Sequence, residues 1–114
     1  MSVRRRKLLF DAIAAISAAR AFIGGVELPD YEADLMRRSA TERQLEILGE
    51  ACSRLAREDP EGLAAVPAAR LAIALRHRII HGYDAVDDET VYRTVVDDLP
   101  RVARLAAWRE FGAG

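Results

Sequence analysis

Leu9, Ile13, Ile16 and Ile23 recur at intervals of four, three and seven, the rhythm of one helix face, and predict a first helix from about residue 3 to Ile23. Gly24-Gly25 stops it. After the turn-prone Leu28-Pro29-Asp30, a second stripe of Leu45, Leu48, Cys52 and Leu55 predicts one long helix from Asp30 or Tyr31 to about Glu58. Its outer surface would carry Glu42, Glu46 and Glu50, with Glu50 one turn before Arg54 in a modest exposed pair. Asp59-Pro60-Glu61-Gly62 reads as a loop, and Pro67 suits the first turn of a third helix that reaches His81 and is closed by Gly82. Asp87, followed by Asp88 and Glu89, supplies a capping side chain and negative charge for a fourth helix ending near Leu99. Pro100 should open a short last helix ending around Trp108. No alternating stretch is long enough for a convincing strand, and no repeat or linker divides the chain. The pattern predicts an all-α, up-and-down bundle of about five helices, in one domain over residues 1–114.

Composition agrees with a folded unit: 51% of the 114 residues are hydrophobic and 31% charged, enough apolar surface to offset chain entropy. The net charge of −1 means that any nucleic-acid surface must be a local patch. With one cysteine no disulfide can form within the chain, and Cys52 reads as a small core residue in a reducing compartment. The N-terminus imitates a secretory signal, but Asp11 and Arg20 leave Ala12 to Ala19 as its longest uncharged piece, far short of a membrane span. The expectation is a cytoplasmic protein with no membrane partner. Arg4-Arg5-Arg6-Lys7 could touch RNA phosphates, although a solvated helix end is the commoner reason for such a cluster.

Chemistry concentrates in Leu75 to Asp84, L-R-H-R-I-I-H-G-Y-D, which holds both histidines of the chain. At about 100° per residue, Arg70, Ala74, His77 and His81 share one narrow stripe with Arg78 beside it. Ala68, Leu71, Ala72, Leu75 and Ile79 make an apolar face nearly opposite, and Ala69, Ile73 and Ile80 another on the remaining flank. One of these could face the core and the other a second copy of the chain. Arg76 lies about 140° around the axis from His81 and cannot meet it on a straight helix. Either the helix loosens at His81-Gly82, or the two converge across a twofold axis. Spacing alone also allows a plain cationic face balanced by Asp84, Asp87 and Asp88. It allows, too, a zinc site built from His77, His81 and an aspartate of the following loop, although Arg76 and Arg78 disfavour a divalent ion.

Arg76-His77-Arg78-Ile79-Ile80-His81-Gly82-Tyr83 resembles the signature of the HEPN superfamily: an arginine, a polar residue, then a histidine after four intervening positions. The tyrosine two residues on is similar to the HepT branch, the toxin partner in HEPN/minimal nucleotidyltransferase toxin–antitoxin pairs. Leu45-Glu46-Ile47-Leu48-Gly49-Glu50-Ala51 resembles its second-helix segment, and Tyr83-Asp84 through Val91-Tyr92 with Asp98-Leu99-Pro100 its C-terminal part, a likeness spanning roughly Ala40 to Val102.

The resemblance implies a HEPN-like homodimer acting as a metal-independent, cofactor-free ribonuclease toxin of a type II or VII-like pair, with its cleft at the dimer interface. Arg76 and His81 would be the catalytic pair. A guanidinium fork can hold a phosphate oxygen and stabilise charge developing at phosphorus, while an imidazole can move protons near neutrality. His77, Arg78 and Arg70 would support the site or bind RNA. His77 occupies the family's variable polar position, where Asn is frequent. Tyr83 is where the nucleotidyltransferase antitoxin would transfer AMP, adding bulk and negative charge where RNA binds. The alternative is a non-catalytic helical adaptor, or a nucleotide-binding partner of a nucleotidyltransferase.

Overall fold

The computed structural model describes residues 2–61, 67–82 and 86–101, and every regular element among them is helical. Helix α1 runs Val3–Ile23, as its apolar spacing predicts. The Ser2 hydroxyl accepts the Arg5 N–H at its start, the Gly24 N–H donates to Arg20 O at its end, and Gly25 turns the chain with a φ of 76° that suits only glycine without strain. The basic N-terminal cluster is largely used within the fold: Arg4 pairs with Glu58, Arg5 with Asp59 and Lys7 with Asp11. That is the behaviour of a solvated helix end.

The long second helix is two helices. α2 spans Leu28–Glu32, and α3 runs Leu35–Glu58. Asp34 breaks them apart, because its backbone is extended (φ −108°, ψ 92°) and its carboxylate accepts the Arg37 N–H at 3.0 Å, capping α3 from outside. Arg37 then reaches back across the turn to donate to the Phe22 carbonyl of α1. The inner stripe of α3 is buried at Leu45, Leu48, Cys52 and Leu55, as its spacing requires, with Thr41, Gly49 and Ala51 beside it. Burial pushes the Cys52 thiol up to about 12, which suppresses the reactive thiolate.

α4 covers Pro67–His81. It buries Ala69, Ala72, Leu75 and Ile79 in the main core with Ile16, Leu45 and Leu48, whereas Leu71, assigned to that face from spacing, is 39% exposed. The buried arc is therefore rotated toward Ala69. α5 opens at Asp88 under the Asp87 cap, whose carboxylate accepts the Glu89 N–H and the Thr90 hydroxyl, and runs as an α-helix to Arg93. It does not end at Leu99 to let Pro100 begin another helix. A π turn over Thr94–Asp98 carries it through, with the Leu99 N–H donating to Thr94 O, and helical geometry continues to Arg101. Proline lacks an N–H and its ring crowds the carbonyl one turn earlier, so the wider turn just before Pro100 accommodates it inside the helix. The expectation around Trp108 lies outside the described residues.

α1 and α4 both pack on α3, and α5 closes the core with Val91, Val95 and Leu99. Tyr92 ties α5 to the α1–α2 turn by donating to Val26 O at 2.6 Å while its ring lies 5.7 Å from that of buried Tyr31. Leu48 is wholly enclosed, so truncation to alanine should cost about 2–5 kcal/mol. No described helix is long and apolar enough to cross a membrane.

Candidate active site on α4

The candidate residues occupy the last two turns of α4. Its α geometry holds to the end, since the Gly82 N–H still donates to Arg78 O at 2.9 Å. The helix does not loosen at His81, so Arg76 and His81 stay about 140° apart around one straight axis. They are not brought together within the chain.

Arg76 points toward α3. One turn of α3 lies close against it because Gly49 has no side chain: a β-carbon there would overlap the Arg76 β-carbon and stand 2.9 Å from Ala72 O. The close approach delivers Glu50, whose Oε2 lies 3.0 Å from an Arg76 Nη while its Oε1 accepts the Arg54 Nε at 2.8 Å. The Arg54 hydrogen bond, then the charges of Arg76 and Arg54, hold the Glu50 carboxyl below the usual glutamate range, so it stays ionised. Arg76 is a third exposed at the lip of an open groove of about 380 Å³, walled by Leu8 and Asp11 of α1, Glu46, Ile47 and Arg54 of α3, and Ile80 of α4. Glu42, Glu46 and Glu50, expected on an outer surface, are instead half-buried.

Arg70, Ala74, His77, Arg78 and His81 are all exposed, as their shared stripe requires. The His77 and His81 rings stand one turn apart with centroids 4.6 Å from each other and planes inclined at 49°. Two of the carboxylates that might have neutralised this face are engaged elsewhere: Asp87 caps α5, and Asp88 lies 3.7 Å from Arg38 of α3. Tyr83 and Asp84 lie outside the described residues, so the modification site and the loop aspartate of a zinc arrangement fall there too. Among the described residues no three histidine, cysteine or acidic side chains gather as a metal site would need.

The contact of Glu50 with Arg76 is what spacing missed. Helical spacing offers Glu50 only Arg54 as a partner, and the signal for more is the adjacent Gly49, a helix-interior glycine that marks close approach by another backbone.

An all-α core with an arginine and a histidine five positions apart at the end of one amphipathic helix is the frame of a HEPN-like bundle. Residues 12–107 match the family described as HepT-like, ribonuclease HepT-like, and the chain belongs to that family. It is 29% identical over 82 residues to a protein of Caldanaerobacter subterraneus provisionally named an RNase, covering 72% of each chain. It is 28% identical over 100 residues to the probable ribonuclease HepT of Thermococcus cleftensis, covering 88% of this chain and 90% of that one. A Methanocaldococcus jannaschii protein, also provisionally named an RNase, is 25% identical over 99 residues, covering 87% of this chain and 90% of its own. No solved structure matches the chain.

Proposed function

We propose that the chain is a HepT-type ribonuclease toxin that works as a homodimer without a metal ion, with Arg76 of one copy and His81 of the other acting on one RNA phosphodiester. The observation that carries this reading is the unbroken α4. It turns Arg76 toward Glu50 and leaves His81 exposed on another side of the helix, an arrangement that supports a site completed by the His81 of a second copy. The exposed cationic stripe of Arg70, His77 and Arg78 offers contacts for the flanking phosphates.

In the reaction the 2′-oxygen of the RNA gives up its proton and attacks phosphorus, the bond to the 5′-oxygen breaks, and that oxygen takes a proton. His81 serves one of the two proton transfers, and Arg76 stabilises charge on the equatorial oxygens. A nucleotidyltransferase antitoxin would neutralise the chain by transferring AMP from ATP onto the Tyr83 hydroxyl, which loses its proton as pyrophosphate leaves; the modification adds bulk and negative charge two positions along the chain from His81 and opposes RNA binding.

Expression of the chain alone tests the reading. Growth should arrest, RNA should be cleaved, and Arg76→Ala or His81→Ala should abolish both. Absence of arrest together with stable binding of a nucleotidyltransferase would overturn it in favour of a non-catalytic adaptor.

A further inference from the structure

We propose that Glu50 is the positioning residue of Arg76, holding one edge of the guanidinium so that its remaining donors face an incoming phosphate; the inference rests on the active-site reading of Arg76 above. Arginine is long, and an unrestrained guanidinium at a helix surface loses conformational freedom each time it binds. Here α3 supplies the restraint. Gly49 removes the side chain that would separate the helices, and Glu50 follows it at the position where its Oε2 meets an Arg76 Nη. A guanidinium has five N–H donors, so engaging one Nη leaves the other edge open. The side chain is still a third exposed, facing the groove.

A carboxylate beside an arginine could equally act as a restraint that competes with phosphate. Arg54 argues for positioning. It takes the other oxygen of the same carboxylate, so one negative charge is shared by two guanidinium groups and the cluster keeps a net positive charge. The other ion pairs at the groove, Arg43 with Glu46 and Lys7 with Asp11, each join one cation to one carboxylate and add no net charge. Arg76 is therefore oriented without being neutralised.

The test compares purified wild type, Glu50→Ala, Glu50→Gln and Arg76→Ala in cleavage of a short labelled single-stranded RNA over a range of substrate concentrations. Loss of orientation should lower kcat by at least about tenfold in Glu50→Ala. KM should stay within about threefold or fall, because a freed arginine still attracts phosphate. Glu50→Gln, which keeps an acceptor oxygen but not the charge, should lie between the two. Activity of Glu50→Ala equal to or above wild type would overturn the proposal, while equal activity of Arg76→Ala and wild type would instead overturn the active-site reading. A second readout is independent of cleavage. The Arg76 Nη resonances, kept distinct by the ion pair that hinders rotation about Nε–Cζ, should merge in both Glu50 variants. Resonances unchanged from wild type would refute positioning even where Arg76→Ala is inactive.

Discussion

Gly49 of α3 lies flat against the side chain of Arg76 on α4, and an added methyl group would overlap its β-carbon and come within 2.9 Å of both its Cδ and the carbonyl oxygen of Ala72. A side chain can swing aside, but the Ala72 oxygen belongs to a helix backbone and can move only with α4. Gly49→Ala must therefore push the two helices apart at the level of Arg76. Alanine would favour the helix by about 1 kcal/mol, but overpacking typically costs about 1–3 kcal/mol, and here the obstacle is backbone. Urea denaturation should show a net loss of stability, accompanied by weaker RNA cleavage. A more stable Gly49→Ala protein would mean that the contact is looser than this geometry.

The helix caps set how stability responds to acid. Asp87 accepts from Thr90 and the Glu89 N–H, and Asp34 chiefly from the Arg37 N–H, so both carboxyls are held below the usual aspartate range. A depressed folded-state value contributes stability that is fully present above the ordinary range, near pH 4, and is lost as pH falls below it. Glu42 has the opposite sign: burial first, then the charge of Asp88, raise its value despite Arg38. Its ionisation therefore costs stability near neutrality, a cost relieved as pH falls into the carboxylate range. Thermal melts from pH 7 to pH 3 should show Asp87→Ala below wild type at neutral pH, the difference narrowing under about pH 4. Glu42→Gln should melt above wild type at pH 7 and lose that advantage on acidification.

Much of this was legible because apolar spacing and capping chemistry are local. The bounds of α1 and α4, the Asp87 cap and the buried stripe of α3 follow from residues within a few positions of one another. The structure departs from local pattern where a second signal overrides the first. Asp34 was hidden between two good helix segments, although its Asx cap ends the presumed single helix. Pro100 looked like a helix start, but upstream a π turn absorbs it. Leu71 shares an ideal-wheel face with buried residues yet is exposed, because the wheel says nothing of where α3 presses. The exposed stripe of Arg70, His77, Arg78 and His81 was readable from period alone. The tie between Arg76 and Glu50 was not, since it joins positions 26 apart and depends on the absence of a side chain at Gly49.

The paired histidines bear on the choice between a proton-transfer site and a metal site. His77 and His81 stand with ring centroids 4.6 Å apart, a spacing at which two imidazoles on one helix could share zinc. Exposed arginines at 70 and 78 accompany them on the same side of α4 and disfavour a divalent cation. RNA cleavage should be unchanged by excess EDTA. His77→Asn, which keeps hydrogen-bonding capacity but neither a titrating ring nor a comparable metal ligand, should retain activity to within about threefold. His81→Asn should lose at least about a hundredfold, within the range for removing a general acid or base. Loss of activity on chelation, restored by added zinc, would replace the proposed mechanism with a metal-assisted one.

The strongest constraint concerns the assembly, because an unbroken α4 separates Arg76 from His81 within one chain. If each site takes its arginine from one copy and its histidine from the other, Arg76→Ala and His81→Ala homodimers both lack a complete site. Mixing them under conditions that exchange subunits creates heterodimers in which one of the two sites has lost both groups and the other has kept both. Neither parent should cleave RNA, and the mixture should recover roughly a quarter of wild-type activity, since half the dimers would be mixed and each would hold one intact site. Light scattering should meanwhile return twice the 12.6 kDa chain mass for the wild type and for both variants. A monomer with full activity, or mixed dimers that stay inactive, would show that the imidazole reaches the scissile phosphate by another route.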